Sequence, residues 1–128
     1  DAVGPAKAAL AYLDAKPRAD NDSKDRASAC ETLADALAGA DRLRDAASCL
    51  EKAAVYCFED DQKLGTAGAQ HLFNAAGALQ KCGDGDESAA MFRKARDAYK
   101  RLGHPKAAQT AQENAEAALR ACAEAVLD

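Results

Sequence analysis

The sequence predicts an all-α fold, and three observations support that prediction. Alanine, the strongest helix former, supplies most of the 48% hydrophobic content. Residues that favour strands are scarce, with three Val, three Thr and no Ile among 128 residues. The segment from Ala27 to Gly103 repeats itself at an offset of 42 residues, which is typical of stacked helical hairpins. We therefore expect about six helices, arranged as antiparallel hairpins in a short right-handed α-solenoid.

The first helix is predicted over residues 5–16. Pro5 suits the opening turn of a helix, and Pro17 ends the helix because the residue before a proline avoids helical geometry. Three apolar residues would share one face of this helix: Ala6, Leu10 and Leu13. A polar loop then leads to Asp22 or Ser23, either of which can cap the next helix.

A first hairpin is predicted over residues 24–58. Its first helix carries one apolar stripe at helical spacing: Ala27, Cys30, Leu33, Ala34 and Leu37. Its second helix carries another: Leu43, Ala46, Ala47, Leu50, Ala53, Ala54 and Cys57. We place the turn at Gly39, which would supply the unusual backbone dihedrals, and expect Asp41 to cap the second helix.

A second hairpin is predicted over residues 65–102, after an acidic connector at residues 59–63. Gly83 and Gly85 mark the turn inside this hairpin, and Asp86 is the expected cap of the helix that follows. The inward positions of the two helices are Ala69, Leu72, Ala75, Ala76 and Leu79, then Ala89, Phe92, Ala95 and Tyr99.

A lone final helix is predicted over residues 105–127, with Gly103 ending the preceding helix and Pro105 at the first helical position. Its apolar stripe is Ala108, Ala111, Ala115, Ala118, Leu119, Cys122 and Val126. Residues 1–128 therefore form a single helical-repeat domain, which is long enough to bury a core.

Charge and cysteine content narrow the classes of function. A net charge of −4 and a pI of about 5.2 disfavour a nucleic-acid binder, which must neutralise many phosphates. No apolar run is long enough to span a bilayer and no secretory signal is visible, so we expect a cytoplasmic protein. The five cysteines are an odd number without CxxC spacing, which favours buried thiols in a reducing compartment over a disulfide framework.

No pattern typical of a catalytic or metal site is visible. His71 and His104 are the only histidines, and three ligands at metal spacing are not present. Cys49 and Cys57 share one helix face without a histidine partner that would activate a thiol. The segment Asp84-Gly85-Asp86 lacks the glutamate and the intervening ligands of a calcium loop. We therefore expect no enzymatic activity, no cofactor, no metal and no small-molecule substrate.

Three segments carry a family pattern: Ala53-Ala54-Val55-Tyr56-Cys57, Asn74-Ala75-Ala76-Gly77-Ala78-Leu79, and residues 98–108 with the joint Gly103-His104-Pro105. The hairpins resemble tetratricopeptide (TPR) repeats, and the segments are similar to the N-terminal region of gamma-type SNAP proteins. SNAP proteins are soluble adaptors that help the ATPase NSF to disassemble SNARE complexes. The resemblance implies a TPR-like fold and a non-catalytic adaptor, most concretely one that binds SNARE complexes in vesicle fusion and membrane trafficking.

A second interpretation stays open. Some SNAP proteins carry a hydrophobic membrane-attachment loop after the first helix, whereas residues 17–23 are polar here. Kinesin-light-chain repeats share the period and the Gly103-His104-Pro105 turn. The alternative is therefore a TPR-like scaffold that holds a partner peptide in its concave face and is unrelated to SNAREs.

Two surfaces are candidates for partner binding. In TPR-like hairpins the first helix of each pair lines the concave face, and its non-core positions are Glu31, Asp35, Gln70, Phe73, Asn74 and Lys81. Phe73 could anchor a partner as an exposed aromatic ring, or it could pack on the neighbouring hairpin.

The second surface is a basic face, composed of Arg93, Lys94, Arg96, Lys100, Arg101 and Lys106. These cations stand against Asp97 in an otherwise acidic chain. Such a face suits acidic SNARE helices or peripheral contact with an anionic membrane, with strongly salt-dependent binding. The alternative is an ordinary solvated helix face.

Overall fold

The computed structural model of the chain describes residues 3–15, 22–59 and 61–127. Within these ranges the protein is all-α, as predicted, with six helices and no strand. The helices are α1 (Val3–Ala15), α2 (Asp22–Gly39), α3 (Leu43–Phe58), α4 (Asp61–Lys81), α5 (Gly85–Arg101) and α6 (Pro105–Leu127). Most of the predicted polar loop before α2 lies outside the described residues, and so do the side chains of the two predicted caps, Asp22 and Ser23.

Each helix packs against the next one along the chain, from α1 on α2 through to α5 on α6. The buried side chains form clusters that follow the same order. The first cluster joins α1, α2 and α3 and includes Leu10, Leu33 and Cys57. The core is therefore a series of contacts between neighbouring helices rather than one central layer.

The predicted apolar stripes supply most of this core. All five predicted positions of α2 and all five of α4 are buried. In α6 the four alanines of the stripe are buried, whereas Leu119 and Cys122 are half-buried. The side chains of two further predicted core residues, Leu13 and Val126, lie outside the described residues. Ser88 is buried without having been predicted, because its hydroxyl donates to the carbonyl of Ala76 at 2.8 Å.

Alanine fills the contact lines between the helices. Seven alanines have no exposed surface: Ala53, Ala54, Ala69, Ala75, Ala76, Ala95 and Ala111. Because an alanine side chain is a single methyl group, packed helices approach closely along these lines. Each buried methyl contributes roughly 1 kcal/mol, so stability is spread over many small contacts.

Glycines mark the closest helix approaches. A Cβ added at Gly68 would lie 2.7 Å from the ring of Phe58. A Cβ added at Gly85 would lie 2.8 Å from Cys122 Cβ and 2.9 Å from the carbonyl oxygen of Ala118. The absence of a side chain at these two positions therefore allows α4 to approach α3 and α5 to approach α6.

The turn between α2 and α3 differs from the prediction. Gly39 is still helical, and Asp41 instead adopts the left-handed conformation, with a φ of 61°. Aspartate tolerates this region better than most residues with a side chain. The N-cap position of α3 is Arg42, which makes no side-chain capping bond but pairs with Asp45 at 2.8 Å. The prediction that Asp41 caps α3 is therefore wrong.

The starts of α4 and α5 correct two further predictions. Helix α4 begins at Asp61, so the last three residues of the predicted connector at 59–63 are helical. Asp84, and not Asp86, caps α5, because its carboxylate accepts a hydrogen bond from the backbone N–H of Glu87 at 3.2 Å. The same carboxylate pairs with Arg44 of α3 at 2.8 Å, and this hydrogen bond lowers the pKa of Asp84.

Two of the predicted glycine turns are confirmed. Gly83 and Gly103 follow α4 and α5 with φ values of 86° and 79°, which residues with a Cβ rarely adopt. The following residues close both turns, since His104 N–H donates to the Tyr99 carbonyl at 2.9 Å and Asp84 N–H donates to the Leu79 carbonyl at 3.0 Å. None of the helices in the described part of the chain has the length and apolar character needed for a bilayer span.

We predict opposite effects of alanine at two glycines. Gly77→Ala should raise the free energy of unfolding by about 0.5–1 kcal/mol, since a Cβ there meets nothing within 4 Å and alanine favours the helix. Gly85→Ala should lower it by roughly 1–3 kcal/mol, because its Cβ would collide with the α6 backbone. Urea unfolding followed by circular dichroism measures both values, and equal effects at the two sites would contradict this packing.

A candidate partner-binding groove

A groove of about 350 Å³ lies between α2 and α4, with α3 beneath it. Small residues keep it open: Ala34 and Ala38 on α2, and Gly77 and Ala78 on α4. Its remaining lining includes larger apolar side chains and three charged ones. The groove therefore combines an apolar interior with charged edges.

Five of the six predicted concave-face residues line this one groove. They are Glu31, Asp35, Phe73, Asn74 and Lys81. Gln70 is not part of the lining, but it holds Asn74 in place by donating from its amide nitrogen to Asn74 Oδ1 at 3.0 Å. The Tyr99 hydroxyl in turn donates to Gln70 Oε1 at 3.1 Å. Asn74 Oδ1 is therefore an occupied acceptor, while the Asn74 side chain remains exposed at the groove.

Phe73 packs within its own hairpin, whereas the neighbouring hairpin was the packing partner predicted for it. Its ring packs edge-on against Phe92 of α5, with centroids 5.1 Å apart and planes at 71°. The side chain is half-buried rather than exposed, and it also lines the groove. Packing on α5 therefore holds the ring in place while part of it remains exposed in the groove.

Leu43 and Leu50 were predicted as core residues of α3, and that prediction is wrong in part. Both are only half-buried, and both line the groove. Their spacing of seven residues places them at one edge of the α3 stripe, where Ala46 lies between them at the groove. Their position at the edge of the stripe was the one sequence feature that indicated incomplete burial. The sequence does not show that α2 and α4 leave this edge uncovered.

The charges of the groove are separated along its length. Glu31 Oε2 lies 4.0 Å from Nε2 of the buried His71, and Asp35 follows one helical turn later on α2. Lys81 lies ten residues after His71 on α4, which corresponds to about 15 Å along the helix. One region of the groove is therefore acidic, and the end of α4 supplies a cation.

The six basic residues, five on α5 and Lys106 at the start of α6, do not act alike. Lys94 pairs with Glu51 of α3 at 2.9 Å, and Arg96 pairs with Asp97 at 2.9 Å while also bonding Gln112 of α6. The Arg101 guanidinium lies over the Phe58 ring at 5.9 Å. The other three basic side chains, Arg93, Lys100 and Lys106, are exposed, and so are Lys94 and Arg101 despite their contacts. Part of the predicted basic charge is therefore engaged within the protein.

A second concave region lies on the side formed by α3 and α5. One cavity of about 500 Å³ and another of about 360 Å³ share the side chains of Phe58 and Arg101 as lining. Val55, which is 55% exposed, borders the larger cavity. Its charged lining consists of Glu51, Lys94, Asp97 and Arg101, and Lys94 pairs with Glu51, so acidic and basic side chains are intermixed there.

The cysteines partly contradict the prediction of five buried thiols. Cys30 and Cys57 are buried, but Cys49 and Cys122 are half-buried and Cys82 is exposed, because it lies in the turn after α4. Burial and the nearby Glu31 charge raise the pKa of Cys57 to about 11, and burial also raises the pKa of Cys49. Neither thiol has the lowered pKa of a nucleophilic cysteine.

No group of three potential metal ligands comes together among the residues that the structure describes. No family model matches the sequence, no curated protein matches it, and no solved structure matches it. The resemblance to SNAP proteins and TPR repeats therefore stays a prediction that rests on the residues of this chain.

We predict that the thiols differ widely in reactivity. Alkylation by iodoacetamide at pH 8 should modify the exposed Cys82 first, whereas Cys57 should react only after unfolding. With a pKa of about 11, roughly a thousandth of the Cys57 side chains carry a thiolate at this pH, and the residue is buried. Mass spectrometry of digested samples resolves the two sites. Modification of Cys57 at the rate of Cys82 in the folded protein would contradict the description of this thiol as shielded.

Proposed function

We propose that this protein is a non-catalytic protein–protein interaction adaptor, and that the groove between α2 and α4 holds a segment of its partner. The observation that carries this proposal is the convergence of Phe73, Leu43 and Leu50 with separated charges in one groove. The cysteine content favours action in the cytoplasm. The partner in this proposal is another protein, and the site itself performs no chemistry.

The contact pattern supports the stacked-hairpin arrangement that this proposal assumes. On α4 and α5, Ala76 accepts from Ser88 and Gln70 accepts from Tyr99, so the residue numbers fall on one helix while they rise on the other. That order is expected of an antiparallel hairpin. In the ion pairs between α3 and α5 the residue numbers instead increase together on both sides, from Arg44 with Asp84 to Glu51 with Lys94. These offsets of 40 and 43 residues lie near the sequence repeat of 42, as stacked TPR-like units would require.

Incomplete burial gives the groove its affinity for a partner in this proposal. Leu43, Leu50 and Phe73 are half-buried although they are large and apolar. Covering the exposed part of each side chain contributes roughly 1 kcal/mol, and the surrounding packing holds the groove in shape before binding. A rigid aromatic ring such as Phe73 is the kind of anchor on which binding energy concentrates.

A second candidate function is binding of an acidic helical bundle, most concretely a SNARE complex, through α5. One observation favours it: Arg93 and Lys100 are exposed and lie seven residues apart, so they share one side of α5. The engagement of Lys94 with Glu51 and of Arg96 with Asp97 weakens this candidate, because those cations are already partly neutralised.

We predict that filling the groove abolishes partner binding. The wild-type protein and the Gly77→Leu variant are each used to select binding peptides from a displayed library of random 15-residue sequences. A leucine at this position enters open space in the groove, so binding of the peptides selected on the wild type should weaken by tenfold or more while the helix content is kept. Ala90→Leu, an exposed position on α5, is the matched control and should bind as the wild type does.

Two outcomes would contradict the groove as the binding site. One is that Gly77→Leu binds the selected peptides as the wild type does. The other is that SNARE binding depends on α5 and not on the groove. In that case the double variant Arg93→Glu/Lys100→Glu no longer captures assembled SNARE bundles, whereas Gly77→Leu still captures them. The second result would favour the alternative candidate instead.

A further inference from the structure

The charges at the groove suggest which chemical class of partner it accepts. The groove lining has three charged side chains among the described residues: Glu31 and Asp35 on α2, and Lys81 on α4. All three are exposed, so their charges are available to a bound molecule. The large apolar side chains Leu50 and Phe73 belong to the same lining.

The two carboxylates act as a pair. Glu31 and Asp35 are four residues apart on α2, so they lie on one side of the helix and both border the groove. Among the contacts of the described residues, the buried imidazole of His71 lies 4.0 Å from the Glu31 carboxylate. Lys81 lies about 15 Å from His71 along α4, which is more than a Debye length at physiological salt. Glu31 and Lys81 therefore present two separate charges to a partner, and Asp35 lies one helical turn from Glu31.

We propose that the groove selects an amphipathic, dipolar peptide segment, which is an inference that rests on the proposed function. A Lys or Arg of the segment lies at Glu31 and Asp35, an apolar side chain lies on Phe73 and Leu50, and an Asp or Glu lies at Lys81. The charges fix the direction of the segment in the groove, and the apolar contact supplies most of its affinity.

The charge separation also sets the sequence spacing of the partner. The separation of about 15 Å along α4 between the position of Glu31 and Lys81 corresponds to about ten residues of a helical segment or to about four or five residues of an extended one. The cation and the anion of a matching segment are therefore either about ten or about four to five positions apart. The spacing found in bound peptides reports which conformation the groove holds.

The test uses synthetic, fluorescently labelled peptides taken from the selection on the wild-type protein. Their sequences should place Lys or Arg and Asp or Glu on opposite sides of an apolar residue at one of the two spacings. Binding is measured by fluorescence anisotropy. Glu31→Lys with Asp35→Lys should weaken it about tenfold at low salt, as expected for two exposed charge pairs, with a smaller loss at high salt.

A charge swap provides the specific readout. A peptide in which the basic residue is replaced by Glu should bind the Glu31→Lys/Asp35→Lys protein better than it binds the wild type. Lys81→Glu should in turn favour peptides with a basic residue at the other position. The charge-matched control is Glu113→Lys with Glu124→Lys on α6, two exposed positions outside the groove lining, and it should leave binding within about twofold of the wild type.

The failure of this inference can be told from failure of the proposed function. If Gly77→Leu abolishes binding but the selected peptides show no charge order, or the Glu31 and Asp35 reversal changes nothing, the groove binds peptides and the dipolar selection is overturned. If Gly77→Leu itself has no effect on the selected peptides, the groove is not the site and both proposals are overturned.

Discussion

Close packing of helices through alanine is the constraint on which the rest of the structure depends. Where a contact line is made of residues such as Ala53, Ala69 and Ala75, neighbouring helices pack without large side chains between them. The larger apolar residues Leu43, Leu50 and Phe73 are then left only half-buried where α2 and α4 flank α3. The groove is therefore a consequence of how the core is packed, and it is lined by positions that the packing already holds.

Much of the fold could be predicted because helical periodicity is a local property of the sequence. The stripes of α2 and α4 are buried at every predicted position, and Gly83 and Gly103 take the positive φ expected after a helix. Helix starts were harder, since several acidic residues compete for one cap. Asp84 caps α5 in place of Asp86, and its carboxylate also binds Arg44, forty residues earlier in the sequence. Spacing within one helix does not reveal a contact of that range.

Most residues that line the candidate groove could be chosen from the sequence, but the degree to which each is buried could not be predicted. Exposed faces of α2 and α4 follow from the same periodicity, and five of six chosen residues line one groove. The half-burial of Leu50 could not be predicted, because it depends on the distance between two helices that are not adjacent in sequence. The ion pair of Lys94 with Glu51 could not be predicted for the same reason, because the two residues are 43 positions apart in the sequence. Both the half-burial of Leu50 in the groove and the partial neutralisation of the basic residues of α5 therefore depend on contacts between residues far apart in the sequence.

The central claim is that a partner segment binds between α2 and α4 on the apolar residues that the alanine packing leaves half-buried. Nuclear magnetic resonance tests it most directly, by following the side-chain methyl and ring signals of the protein during titration with one selected peptide. We expect the largest and saturable shifts at Leu43, Leu50 and Phe73. Largest shifts at residues 93–101 of α5, with the groove signals unchanged, would contradict it.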